Sequence, residues 1–541
     1  MLLFGCIKAA LLLCVHSTLC NSTPSDTQSY LLMPHPLVTT HVNSMYRLAS
    51  GLLARGHHVT ILRWAATSKV AAIKAPPGAT LLQIRRARNE QLLHVMDEHL
   101  WQHRTYWMSM MKGLLTAWRF FTDACVDIYD GAASKHYHEA LFAQLRAHNH
   151  TLALIDSTGF PCAKYITGRL RLPTISLITT VPPYLQLSTV TVVPFSYVPS
   201  VFTDFSDRLS FVERTANALL QKYQDCNGWL MRALINFRLN WRRQPASYPY
   251  PLLTLIESNL LFEFPYPLTN RMRVLEAQTV HHDPIKDPGL LALMRRVQLN
   301  STIVMSMTTM GSQRRMPARM KRPLTSVLQG FTEHHVIVWR QLSNGDTVPL
   351  NGTAVYKADW YDQIGVLADE NTRLLIGHGG KTTVFEALYH EVPIIGIPLG
   401  FDHPATLARV SRLKSGVVLT KSTLHDKEKL TASCNTLLHA RHHRQRTKKV
   451  TAMLRQLKAQ LDATDGRNPM VWWIEHTGRH TRSQFVARHT AEQTAGVLAY
   501  FSADSIGACV LALTLIGRFI AGVQPATKRS EQVSRALTLS Q

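Results

Sequence analysis

Residues 373–410, RLLIGHGGKTTVFEALYHEVPIIGIPLGFDHPATLARV, follow one order of patterns that few folds accommodate. The apolar run 373–376 ends in Gly377-His378-Gly379-Gly380, after which Thr382, Val384, Phe385, Ala387 and Leu388 recur at helical spacing. That is a strand feeding a helix. Glycines at such a junction let the backbone approach a bound group, and the unpaired N–H groups of a helix start favour an anion. His378 adds a side-chain donor. A second apolar run, 392–399, ends at Gly400-Phe401-Asp402-His403. In a parallel α/β sheet the loops after the strands' carboxyl ends form the ligand crevice, so His378, Asp402 and His403 are expected to face one pocket. Glu386 lies two turns along the helix on roughly the same side as His378.

The stretch 378–410 resembles the donor-binding signature of the UDP-glycosyltransferases, inverting GT-B enzymes that move a sugar from UDP to a small acceptor. The relatives that it looks most like are the animal UDP-glucuronosyl and UDP-glucosyltransferases and the viral ecdysteroid UDP-glucosyltransferases. Glu386 and Asp402 keep the family spacing from His378, and Asp359-Trp360-Tyr361-Asp362-Gln363 stands where the family has its tryptophan and glutamine around the uracil. Several separated pieces are more specific than a lone glycine motif. The resemblance implies an α/β fold of two Rossmann-like domains facing a central cleft. It also implies a UDP-sugar held by Ser306, Thr309, Trp360, Gln363, His378, Gly379, Gly380, Thr382, Thr383, Glu386, Asp402 and His403. Trp360 offers a flat face for the uracil ring, Gln363 an amide for its edge, and Glu386 a carboxylate for the ribose hydroxyls. The UDP-sugar is then a co-substrate, and neither a cofactor nor a metal is implied.

A chain of 541 residues is too long for one ordinary core and fits two domains with extras. The formal net charge of +24 would suggest nucleic acid or an anionic membrane if it were concentrated. It is spread out, with its densest clusters at 314–322 and 441–449, and no nucleic-acid motif accompanies it, so no nucleic-acid partner is expected. The histidines lack the paired spacing of a zinc site.

The first twenty residues form an apolar start of signal-peptide length, which predicts export. Sequons at Asn21, Asn149, Asn300 and Asn351 agree with that. Removal of residues 1–20 leaves Cys125, Cys162, Cys226, Cys434 and Cys509, too few and too spread for a disulfide framework, with at least one unpaired within the chain.

The mature chain opens with a strand near 30–33, a loop, a helix-like segment from His41 to Leu53, the stop Arg55-Gly56-His57 and a second strand. This unit starts a Rossmann-like domain, with His41 at the first strand's carboxyl end. A further buried-strand pattern, 152–155, ends in Asp156. A carboxylate placed there can take a histidine's second N–H and fix its tautomer. Family resemblance gives His41 the role of catalytic base and Asp156 that of its partner, with His35 the rival base. On the residues alone His41 is equally a loop histidine bonded to its neighbours, and Asp156 a turn aspartate. Matches through 172–219 read as architecture, and this half supplies an apolar acceptor pocket.

The resulting division is a signal peptide at 1–20, an acceptor-binding domain at 21–280, and a UDP-sugar-binding domain with a closing helix at 281–500. Residues 504–523 form an apolar segment, interrupted by Arg518, that is either a membrane anchor or a C-terminal helix. The protein is accordingly secreted, or held in the membrane of the endoplasmic reticulum if that segment inserts. Three positions depart from the family pattern: Thr308 where glycine approaches phosphate, Thr382 where asparagine is usual, and His403 where glutamine is usual. The expected chemistry is inverting displacement, His41 taking the proton of a lipophilic alcohol such as a steroid or ecdysteroid, with glucose the expected sugar. Glucuronosyl transfer to xenobiotics is the alternative. So is a UDP-sugar binder whose turnover Thr308 has impaired.

Overall fold

The computed structural model describes residues 27–65, 67–84, 95, 98, 100–101, 125, 135–158, 162–241, 251–276, 284–296, 301–307, 316–340, 353–358, 361–439, 441–461, 468–481 and 514–515. Residues 1–20, Thr308, Thr309, Trp360 and all but two residues of 504–523 lie outside this set. Both sheets belong to one unit, residues 1–486; of residues 487–541 only 514 and 515, both helical, are described.

The first half alternates strand and helix: β1 (Ser29–Met33), α1 (Thr39–Ala54), β2 (His58–Arg63), β3 (Thr80–Gln83), α2 (Lys135–Ala147), β4 (Leu152–Asp156), α3 (Cys162–Leu170), β5 (Thr174–Ile178), α4 (Phe211–Trp241), β6 (Leu253–Glu257) and β7 (Met272–Leu275). The second half continues with α5 (Pro288–Met294), β8 (Ser301–Ser306), α6 (Ala318–Phe331), β9 (His335–Arg340), β10 (Val355–Ala358), α7 (Gln363–Ala368), β11 (Thr372–Gly377), α8 (Lys381–Tyr389), β12 (Ile394–Gly396), α9 (His403–Leu413), β13 (Gly416–Val418), α10 (Lys427–His439), α11 (Arg441–Leu461) and α12 (Pro469–Arg479).

The strands form two parallel sheets, ordered β3-β2-β1-β4-β5-β6-β7 and β10-β9-β8-β11-β12-β13. Each sheet reverses direction of winding at one place, between β1 and β4 in the first and between β8 and β11 in the second. Both are the doubly wound order expected from the sequence. Helices cover the faces, so the central strands are buried on both sides and read as continuous apolar runs such as Leu31-Leu32-Met33 and Leu374-Leu375-Ile376.

The start and end of α1 explain where His41 sits. No side chain of the cap residue Val38 bonds the helix. Instead His35 Nδ1 accepts the backbone N–H groups of Leu37 and Val38 at 3.0 and 3.1 Å, which folds the loop after β1 onto the helix entry. Val42, Met45, Ala49 and Leu52 form the buried stripe. At the other end Gly56 has φ 81°; its N–H reaches Leu53 O, and that of His57 reaches Leu52 O. This paired closure favours glycine because no Cβ is strained in the left-handed conformation. The helix thus stops where the Arg55-Gly56-His57 reading placed it.

The chain crosses between the halves twice. After β7 it passes to α5 and β8. After α11, which packs on α8 of the second half, α12 returns to pack on α1. Met470, Val471 and Ile474 of α12 share a buried cluster with Tyr30, Leu48, Ala49 and Leu52. Glu475 accepts from Arg55 Nε and lies 2.9 Å from His57 Nε2. Cys125 and Cys162 are joined by a disulfide, while Cys226 and Cys434 are free thiols among the described residues. One bridge between distant cysteines is a pairing that spacing could not indicate.

Candidate active site

His41 enters in the first turn of α1, at the carboxyl end of β1, and Asp156 is the last residue of β4 beside it in the sheet. Their positions at the winding reversal bring together residues 115 apart in sequence: His41 Nδ1 lies 2.8 Å from Asp156 Oδ2. An ionised carboxylate only accepts, so Nδ1 carries the proton and Nε2 keeps its basic lone pair. The other carboxylate oxygen, Oδ1, accepts from Thr158 N at 3.0 Å and from its hydroxyl at 2.6 Å. Thr179 Oγ1 is a further 2.8 Å neighbour of His41 Nδ1.

Burial opposes charge on the His41 ring. The charge of Asp156 and its hydrogen bond, followed by Asp402 and Glu257, outweigh that penalty and raise the His41 pKa above its ordinary value. Burial also opposes the Asp156 charge, and His41, His35 and Thr158 together hold its carboxyl below the usual range. His35 differs in kind. Burial, with His41 beside it, lowers its pKa to about 3, and its Nδ1 is taken by the two backbone donors. Its ring packs edge-on against His41, 4.9 Å between centroids. A neutral ring that accepts two backbone N–H groups supports the loop.

Across the cleft, β8 ends in Ser306 and β11 in Gly377, paired with each other. Ser306 Oγ donates to Gln363 Oε1 at 2.5 Å; Gln363 Nε2 reaches Glu386 Oε2 at 2.5 Å and Thr383 Oγ1 at 3.3 Å. Asp362 caps α7 by accepting from Gly365 N, which fixes Gln363 as the first residue of that helix. The four side chains thus form one polar network at the ends of β8 and β11. His378 and His403 stand edge to face, 4.5 Å apart, and burial followed by the charge of Lys421 lowers the His403 pKa to about 3, keeping it neutral.

Gly379 has φ 89°, and a Cβ there would lie 2.5 Å from Leu407 Cγ on α9. Gly380 is the N-cap of α8, and no side chain of that cap bonds the helix start. A glycine is required at Gly379 by both conformation and packing. Thr382 and Thr383 are half-buried in the first turn of α8. Asp402 precedes α9 and is half-buried; burial raises its pKa, against the pull of His41 and Lys381 and the N–H of Val181. Phe401 beside it has φ 54°, the left-handed region that a bulky residue rarely adopts.

These placements gather His41, Asp156, Ser306, Gln363, His378, Gly379, Gly380, Thr382, Thr383, Glu386, Asp402 and His403 at the carboxyl ends of the two sheets. Thr309 and Trp360 lie outside the described residues. Five participants escaped the sequence reading. Thr158 and Thr179 support the His41–Asp156 pair. Lys381 and Glu263 form a buried ion pair of 3.3 Å, and Arg409 joins them 2.9 Å from Glu263. Lys381 did leave a trace: a cation at the first position of a helix opposes its dipole and needs a reason to be there.

The sequence profile of the family described as "UDP-glucoronosyl and UDP-glucosyl transferase" matches residues 31–528, nearly the whole chain. This chain belongs to that family of UDP-glycosyltransferases. Among named proteins, the UDP-glycosyltransferase is 24% identical over 499 residues to UDP-glucuronosyltransferase 2B18 of Macaca fascicularis, covering 88% of this chain and 90% of the relative. It is 23% identical over 488 residues to UDP-glucuronosyltransferase 2B7 of Homo sapiens, covering 86% and 87%. Among solved structures it superposes on a UDP-glucosyltransferase from Polygonum tinctorium capable of glucosylating indoxyl, with TM-score 0.58 and 13% identity over 84% of this chain and 99% of that one. The glycotransferase of kitacinnamycin gives TM-score 0.55 at 18% identity, over 83% and 99%. These likenesses establish the fold, and with it the two facing Rossmann-like domains.

Proposed function

We propose that this UDP-glycosyltransferase moves a hexosyl group, glucose in the first reading, from a UDP-sugar to a hydroxyl of a small lipophilic acceptor such as a steroid or ecdysteroid, with inversion. The observation that carries the mechanism is the buried His41–Asp156 contact opposite a helix start that has no acidic residue in its first turn. His41 Nε2 removes the acceptor's proton as its oxygen attacks the anomeric carbon, and Asp156 stabilises the imidazolium that forms. The leaving diphosphate gathers negative charge, which the amide-rich start of α8 and the Ser306 hydroxyl are placed to offset. Glu386 exchanges its bond from Gln363 for the ribose hydroxyls, and Asp402 and His403 address the sugar.

A second reading, glucuronosyl transfer, is favoured by the printed names of the relatives above. Export through the secretory pathway is part of the proposal; the Cys125–Cys162 disulfide supports it, since such bonds persist in oxidising compartments. Anchoring through 504–523 is a proposal on a segment of which all but two residues lie outside the described set. Among the described residues no helix is long and apolar enough to cross a membrane.

The test is UDP release by the mature protein with UDP-glucose and with UDP-glucuronate, across a panel of sterol and phenolic alcohols. Acceptor-dependent release is expected, with His41→Ala slower by about 10²–10⁴-fold. The preferred donor separates the two readings. Folded protein that releases no UDP with either donor would leave only the impaired binder.

A further inference from the structure

Three consecutive residues after β5 each reach a different part of the cleft. Thr179 Oγ1 contacts His41 Nδ1 at 2.8 Å. Thr180 O accepts from Lys381 Nζ, also at 2.8 Å, across 201 positions of sequence. Val181 N–H faces the Asp402 carboxyl and favours its charge. The run 179–181 therefore touches the base and the first residue of the diphosphate helix α8, and lies beside the aspartate before α9.

Lys381 holds this arrangement at a cost. A cation in the first turn faces the positive end of the helix dipole, and its side chain is almost fully buried. Burial lowers its pKa, opposed chiefly by Glu263. Glu263 stays ionised because Arg409 and Lys381 flank it, and it follows β6 of the first half. The ammonium thus joins two first-half groups, Thr180 O and Glu263, to a second-half helix. Coulombic attraction alone needed only Glu263. The bond to a carbonyl one residue from Thr179 adds a defined distance between the donor helix and the base.

We infer that Lys381 is a positioning residue: through residues 179–181 it sets the register between the donor-binding start of α8 and His41. It touches neither reacting atom. The inference rests on the transferase reading of the cleft, and it predicts that losing Lys381 disturbs the attack geometry more than donor binding.

The experiment is a double-mutant cycle in the full mature chain with UDP-glucose, or UDP-glucuronate if that is the donor used, combining Lys381→Met and Thr179→Val. Lys381→Met is expected to lower kcat about 10–100-fold, the scale of a small misplacement of reacting groups, with donor KM almost unchanged. In that background Thr179→Val should have little further effect. Effects that multiply independently, or a change confined to KM or to thermal stability, would overturn the inference. Should the methionine variant not fold, Lys381→Arg, which keeps the charge and moves the donor, enters the same cycle. Hydrogen exchange at the Val181 amide reads the tether without turnover. Faster exchange in the Lys381 variant is expected, and equal protection would overturn it. Wild-type protein without transfer activity would sink the transferase reading while the exchange result still decided the tether.

Discussion

At the scale of single residues, the His41–Asp156 pair makes a signed prediction about pH. As the proposed base, His41 must be unprotonated to act, and its pKa lies above the ordinary 6.5, so kcat/KM should rise through a midpoint above that value. Asp156→Asn removes the largest raising influence and should move the midpoint down while lowering kcat by about 10²-fold or more, which a pH–rate profile of both proteins would reveal. A midpoint unmoved by the substitution would mean that some other group is the base. The same two shifts act on stability in opposite directions. The raised His41 stabilises the fold below its unfolded pKa and ceases to do so as pH rises through the folded value. The lowered Asp156 stabilises above its unfolded pKa, and that contribution is lost as pH falls. Residue type alone did not separate His41 from His35, because both follow β1 closely, His35 in the loop and His41 in the first turn of α1. What favours His41 as the proposed base is that the Nδ1 of His35 is on two backbone amides and that of His41 on a carboxylate.

Among the elements, the strand–turn–helix at β11 and α8 was the most legible part of the chain, because its apolar run, its glycines and its helical spacing agree with one another. Boundaries were less so: the apolar run 392–399 yields only a short strand, Ile394–Gly396, since the residues after it turn into the loop that carries Asp402. Also hidden was the use of Gly379, which serves as much to admit Leu407 of α9 as to approach a ligand. Gly379→Ala should therefore destabilise the protein by about 1–3 kcal/mol from backbone strain alone. It should also weaken UDP binding, measured by calorimetry beside a thermal melt. Adding Leu407→Ala should relieve the overlap but not the φ of 89°, so recovery should be partial. Full recovery would assign the whole effect to packing. The bonds joining Ser306, Gln363 and Glu386, or Lys381, Glu263 and Thr180, were out of reach for a different reason. Their partners are 23 to 201 positions apart, and no local pattern encodes such a meeting.

For the whole molecule, α12 is the element that brings the chain back onto the first half. Met470, Val471 and Ile474 are almost fully buried against the first half. At about 1.5–3 kcal/mol for each such side chain, their contacts are worth roughly 5–9 kcal/mol. That is comparable with the entire stability of an ordinary domain, about 5–15 kcal/mol. A chain ending at Leu461 should therefore fail to give a soluble, cooperatively melting protein. Supplying 468–481 as a separate peptide should rescue it only weakly, because the helix would no longer be held near its seat by the chain. Recovery of a normal melt by the truncated chain would show that α12 is an accessory. The two-sheet plan was readable from the alternation of strands and helices, whereas the return of α12 to α1 was foreshadowed only by the closing helix that the resemblance implied within 281–500.

The return of α12 has a mechanical side. A lid fastened at one point can swivel in any direction, but one fastened at two can turn only about the line between them. The chain passes from the first half to the second after β7 and comes back between α11 and α12, so the two bodies are fastened twice. Any rotation of one half against the other has to be accommodated at both crossings, a tighter restriction than a single connection would impose.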